Sequence, residues 1–195
     1  MEGSQVIADA RRLAGELGQL PAPEAQPALI VVSGLPGTGK SYFCRRLAER
    51  LPYLVLESDA LRKRLFTVPE YSAAESAYLF RTIHQLIEEL LGQGIPVILD
   101  ATNLSERHRE RLYNIAERRN ARLILVNVKA PPEVVQKRLE NRLEKKNNGD
   151  NSDADWEVYQ KLRITAEKIR RNHFAVDTSK DITPALKKIT REANR

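Results

Sequence analysis

The chain predicts an α/β fold, a parallel five-stranded sheet covered by helices on both faces. Two observations carry this. Five short apolar runs lack polar alternation, as strands buried on both faces do. Segments of helical character separate them, the pattern of repeated strand–helix units. At roughly 150 residues per domain, 195 residues are enough for one such domain and too few for two.

Gln5–Gly18 places Val6, Ala10, Leu13 and Leu17 near helical spacing, which predicts a short helix. Pro21, Pro23 and Pro27 then stiffen an extended linker. Residues 1–28 carry a net charge of −2, leaving +8 on the rest of a chain whose total is +6. Residues 1–27 are therefore read as an N-terminal helical arm with its linker, and residues 28–195 as the main domain.

Within that domain Ala28–Ser33 is the first strand and Lys40–Arg50 a helix. Tyr53–Leu56 is the second strand, followed by a helix over Ala60–Phe66. Ser72–Leu91 is a long helix, with Ser72 and Glu75 as a capping box and Gly92 as its stop. Ile95–Leu99 is the third strand and Ser105–Arg119 the next helix. Leu123–Val128 is the fourth strand, and Pro132 opens a helix to Lys145. Residues 146–153 are polar and Asn-rich, without an apolar anchor, and are expected to be flexible. Ser152 and Asp155 suggest a second capping box before a helix over Trp156–Arg170. Phe174–Val176 is the fifth strand and Ile182–Ala193 the last helix.

Composition narrows the class. Hydrophobic residues at 42% and charged residues at 30% suit a soluble globular domain. The single cysteine, Cys44, excludes an intrachain disulfide framework and reads as a buried small residue. No Cys/His cluster has zinc spacing, and His84, His108 and His173 read as structural. No apolar run approaches the ~18 residues of a membrane span, and the N-terminus has no apolar centre of a secretory signal. A cytoplasmic location is expected. Basic clusters around Arg45, around Arg107–Arg119 and at Arg138/Arg142 suit an anionic partner, with a solvated surface as the plain alternative, the reading preferred for Arg107–Arg119.

The sharpest signal is Gly34-Leu35-Pro36-Gly37-Thr38-Gly39-Lys40-Ser41, which fills the phosphate-loop pattern G-x-x-x-x-G-K-[ST] between a buried strand and a helix, with Tyr42 directly after it. Glycines let backbone N–H groups turn around phosphate oxygens, and the helix N-terminus adds its positive end. Lys40 is expected to reach the β- and γ-phosphates of ATP, and Ser41 to ligate Mg²⁺. A GTPase would need an Asn-Lys-x-Asp motif, which is absent. A motor ATPase would usually place a glutamate after Asp100, where Ala101 stands. A small kinase that phosphorylates a hydroxyl remains.

On the acceptor side, Asp59 follows the second strand and Arg62 stands one helical turn later. A carboxylate there can take the proton of an attacking hydroxyl. The arginine can hold an anionic group of the acceptor. Asp100 and Asn103 end the third strand, where polar residues face the ligand crevice. Asp100 can also serve the Mg²⁺. Arg138 and Arg142, at i and i+4, precede the flexible stretch and can neutralise charge on the transferred phosphoryl. Trp156 and Tyr159 either stack a base or pack beneath the lid, the latter preferred.

Together the phosphate loop, Ser58-Asp59-x-x-Arg62, Asp100-Ala101-Thr102-Asn103, Arg138-x-x-x-Arg142, Trp156-x-x-Tyr159 and Asp177-Thr178-Ser179 resemble the polynucleotide-kinase-like family of P-loop kinases. The resemblance covers residues 28–178. It implies a three-layer α/β/α fold with strand order 2-3-1-4-5 and a helical lid. It also implies Asp59 as general base, Arg62 as a clamp on acceptor phosphate, and lid arginines on the donor phosphates. The expected acceptor is a 5′-hydroxyl of a polynucleotide or nucleotide. A small metabolite or antibiotic is the alternative, and a non-catalytic ATP-binding regulatory module is another.

Overall fold

A computed structural model describes residues 2–144 and 154–195. Five strands form one parallel sheet: β1 (Ala28–Ser33), β2 (Leu54–Glu57), β3 (Val97–Asp100), β4 (Arg122–Lys129) and β5 (Phe174–Asp177). Their order is β2-β3-β1-β4-β5, as the resemblance implies. β1 is central, pairing Val32 with Asp100 of β3 and with Val126 of β4.

Alternation along β1 divides the core between the two faces of the sheet, because successive side chains of a strand point opposite ways. Leu29 and Val31 join a cluster that includes Leu79, Ile83 and Leu86 from α4 (Ala73–Gly92) and Leu112 from α5 (Glu106–Arg118). Ile30 and Val32 join a second cluster with Phe43 and Leu47 of α2 (Lys40–Ala48) and with the C-terminal helix Thr183–Ala193.

The N-terminal helix α1 (Glu2–Gly15) lies on α4, and its Ala10 and Leu13 are fully buried in the first cluster. Tyr78 donates its hydroxyl to Asp9 at 2.6 Å, and the Glu24 amide donates to the Gly94 carbonyl at 2.8 Å. The arm set apart by charge and by its prolines thus shares the main core.

Several element ends differ from expectation for identifiable reasons. β3 begins at Val97, not Ile95, because Pro96 has no N–H to give a ladder; its carbonyl instead accepts from Leu54 at 3.0 Å. α3 (Ser58–Leu65) starts two residues early, directly on β2. Helix α7 (Trp156–Thr165) stops well short of Arg170. Beyond it, Glu167 donates its amide to the Leu104 carbonyl at 2.9 Å, and the Glu167 and Lys168 carbonyls accept from Arg109 at 2.9 and 3.1 Å. A continued helix would have used those groups internally. Asp155 caps α7, accepting from the Val158 amide at 2.9 Å; Ser152, also expected to cap it, and the expected flexible stretch 146–153 lie outside the described residues.

Candidate active site

The phosphate loop connects β1 to α2. Gly39 sits before the first turn of α2 with φ 87°, a left-handed conformation that favours glycine. A side chain at Gly34 would overlap the Val128 carbonyl oxygen. Thr38 donates its hydroxyl to Leu35 O at 2.7 Å, and the Gly34 amide donates to Thr102 O at 3.1 Å. The loop is thereby tied to the end of β3.

A cleft of about 880 Å³ opens at the carboxyl end of the sheet. Pro36, Gly37, Gly39, Lys40, Ser41 and Tyr42 form its floor and edge. Gly34, Leu35 and Thr38 back onto a second, smaller cavity of about 310 Å³. Asp59, Arg62, Asp100 and Asn103 form one side of the main cleft. Arg138 and Arg142 of α6 (Pro132–Glu144) close over the phosphate loop.

Lys40 donates its ammonium to Leu35 O at 3.1 Å. Burial lowers its pKa, against the opposing pull of Asp100 and then Asp59. Both carboxylates thus bear on the lysine, although Asp59 and Asp100 come from separate strand ends. The Ser41 hydroxyl and the Asp100 carboxylate are hard oxygen donors of the kind Mg²⁺ prefers, so the residues present fit that ion. Among the described residues no group of three or more His, Cys, Asp or Glu gathers to hold a metal unaided.

Three expected site residues are engaged differently from their anticipated roles. Arg62 does not stand open to an acceptor phosphate. It is ion-paired with Glu75, donates to Ser76 Oγ at 3.2 Å, and lies under the Tyr71 ring at 4.7 Å. Asn103 directs its amide nitrogen to Val32 O at 3.0 Å, while its buried Oδ1 has no hydrogen-bond partner. Arg138 donates to the hydroxyl and the carbonyl of Thr178, each at 2.9 Å, and to Gly37 O at 3.4 Å. Thr178 in turn donates its hydroxyl to Thr38 O at 2.6 Å. Arg138 therefore braces the phosphate loop against the segment after β5. Arg142 donates to the Ala154 carbonyl, joining α6 to the approach to α7.

Two contributors escaped the sequence reading. Glu75 was legible as a capping residue, and Ser72 Oγ does accept from its amide at 3.1 Å. Its carboxylate, however, accepts from the Glu70 and Tyr71 amides at 2.6 and 3.3 Å and pairs with Arg62. Burial pushes the Glu75 pKa up, but the Glu70 amide and the Arg62 guanidinium outweigh that and hold it low. Arg109 lies within a run read as exposed helix surface, yet it is only 1% exposed. It donates to Asn103 O at 2.5 Å and carries an ion pair with Glu106 at 2.7 Å. Trp156 and Tyr159 stack with centroids 4.8 Å apart, and Tyr159 packs on Val135 and Leu139, as the packing reading expects.

The phosphate loop, the strand order and the convergence of basic and acidic side chains define a P-loop kinase-like domain. By sequence the chain belongs to the AAA domain family AAA_33, which matches residues 29–169. L-seryl-tRNA(Sec) kinase of Methanococcus maripaludis is 30% identical over 115 residues, covering 56% of this chain and 44% of that relative. The chain thus spans less than half of that relative's length. Among solved structures, the Mycobacterium tuberculosis APS kinase CysC in complex with AMPPNP and APS superposes with a TM-score of 0.67 at 18% identity, covering 89% of this chain and all of the other. A gluconokinase from Sinorhizobium meliloti 1021 gives a TM-score of 0.59 at 25% identity, with 87% and 91% covered. Among the described residues no helix is long and apolar enough to cross a membrane.

Proposed function

We propose that the chain is an ATP-dependent kinase that transfers the γ-phosphoryl group to a hydroxyl, and that the hydroxyl is the 5′-hydroxyl of a nucleotide or polynucleotide. The carrying observation is that Lys40 and Ser41 of a complete phosphate loop share one cleft with Asp59 and Asp100. The kinases among its relatives support the same reaction class.

In this reading the loop amides and Lys40 hold the β- and γ-phosphates. Asp59 accepts the proton of the acceptor hydroxyl as its oxygen attacks the γ-phosphorus. The bond from that phosphorus to the β–γ bridging oxygen breaks, and ADP leaves. Ser41 and Asp100 would hold Mg²⁺, which when bound neutralises charge on the phosphate oxygens. Arg142 and Arg138 frame the phosphates from above, Arg138 by fixing the loop through Thr178. Exposed Arg45 lines the cleft and suits a trailing phosphodiester chain.

The test is incubation with γ-labelled ATP and a panel of 5′-hydroxyl oligonucleotides, nucleosides, sugars and aminoglycosides. Label on the 5′-hydroxyl acceptors is expected. Label on sugars alone would move the activity to a small metabolite. Release of inorganic phosphate with no labelled alcohol would leave an ATP-binding regulatory module.

A further inference from the structure

The acceptor side of the cleft has a character that the phosphate loop does not dictate. It lies between α7 and the N-terminal halves of α4 and α5. Leu79 and Phe80 come from α4, Leu104 from the loop before α5, His108 from the start of α5, and Val158 and Leu162 from α7. Phe80 and His108 lie with ring centroids 5.2 Å apart, tilted by 35°. An aromatic ring is a natural partner for such a wall, because rings prefer offset or tilted contact with other rings.

The charges at this end are already spent. Arg62 of α3 lines this part of the cleft, and it is paired with Glu75, their side chains only 7% and 8% exposed. Burial, with Arg111 and Arg107 nearby, lowers the His108 pKa and disfavours its charged form, against the opposing pull of Glu167. His84 behind it is held to about 4 by burial, His108 and Arg111. An anionic group entering here would lose its water and find the facing guanidinium already neutralised, which is costly. An uncharged planar group would bury apolar area without that cost.

We infer that the acceptor presents an uncharged aromatic ring to the Phe80–His108 wall, placing its hydroxyl at Asp59, while any phosphate it carries stays outside this lobe. The inference rests on the kinase reading above and specifies its acceptor. The base of a 5′-terminal nucleoside and the aryl group of a small alcohol share this chemistry. On a polynucleotide the base would fill the lobe and the strand would leave past Arg45.

Calorimetric titration of the full chain, saturated with a non-hydrolysable ATP analogue, tests this without requiring turnover. The probes are adenosine, 2-phenylethanol, ribose and adenosine 3′-phosphate. Adenosine is expected to bind at least tenfold more tightly than ribose, and Phe80→Ala to shrink that gap more than Phe80→Leu. 2-Phenylethanol binding as well as adenosine assigns the lobe to aryl alcohols at large, and binding of adenosine alone assigns it to a nucleobase; either supports the ring. Ribose binding as tightly as adenosine overturns the inference. So does a 3′-phosphate gain of tenfold or more that Arg62→Ala abolishes, because Glu75 would then have released Arg62. The kinase reading fails separately: ring probes that bind the lobe while no alcohol is ever labelled sink the kinase and leave the ring site. Phosphorylated polyols with no ring binding do the reverse.

Discussion

Arg62 of α3 and Glu75 of α4 form an ion pair that is almost wholly removed from solvent. Glu75 also gathers the Glu70 and Tyr71 amides, so one carboxylate holds the loop before α4, the α4 N-terminus and α3 together. Removing one member of a buried pair leaves the other charge uncompensated, typically at about 3–5 kcal/mol. Glu75→Ala should therefore lower the urea midpoint strongly, and Arg62→Met should cost less, because the Glu75 carboxylate it leaves still accepts from the Glu70 and Tyr71 amides and Met keeps the apolar bulk. Equal and small effects from both would mean the pair is weak.

Lys40→Ala removes the ammonium that accompanies the γ-phosphoryl group during transfer. Loss of one such contact costs roughly 10²–10³ in rate. The protein should stay folded, since the hydrogen bond of the Lys40 ammonium goes to Leu35 O within the loop itself. Transfer by a folded Lys40→Ala protein at the parental rate would contradict the role given to the loop.

Thr178 links Arg138 to the phosphate loop through a hydroxyl that accepts from the guanidinium and donates to Thr38 O. Thr178→Val keeps the shape and removes both hydrogen bonds, each worth about 1 kcal/mol. ATP affinity should fall about tenfold, read by titration with a fluorescent ATP analogue. Unchanged affinity would show that the loop holds its form without this brace.

How legible was all this in the chain? The sheet and its loop were readable because their causes are local: continuous apolar strands, and a glycine pattern that few backbones other than a phosphate cradle require. Arg109 was not, because a run of arginines on one helix gives no sign of which of them turns inward to three backbone carbonyls. The short α7 was missed for the same reason, since the partners that end it, Leu104 and Arg109, lie about sixty residues away. Arg62 was identified as a site residue by its distance from Asp59, but its pairing with Glu75 was hidden behind a capping box that explained Glu75 by itself. Local chemistry is written in neighbours; the neutralisation of a charge by another helix is not.

His84 supplies a pH dependence. Its folded pKa is about 4, below the unfolded 6.5, because burial and then His108 and Arg111 disfavour the cation. The unfolded chain therefore binds the extra proton first. Stability is fully present above pH 6.5 and declines as pH falls towards 4, by at most about 1.4 kcal/mol per pH unit from this group. His108 shifts the same way and adds to the slope. Thermal unfolding should show a falling Tm between pH 6.5 and 5, flattened in His84→Leu. A Tm that rises on acidification through that window would contradict the burial of a neutral imidazole.

The central claim is that Asp59 takes a proton from an alcohol while the phosphate loop delivers the γ-phosphoryl group to it. Rapid-quench, single-turnover transfer from γ-labelled ATP to a 5′-hydroxyl oligonucleotide, compared between the parent and Asp59→Asn, tests it most directly. The parent should place label on the oligonucleotide, and Asp59→Asn should bind ATP yet transfer at least ~10²-fold more slowly, the scale of lost general-base assistance. Transfer by Asp59→Asn at the parental rate, or label from the parent appearing only as inorganic phosphate, would contradict the account.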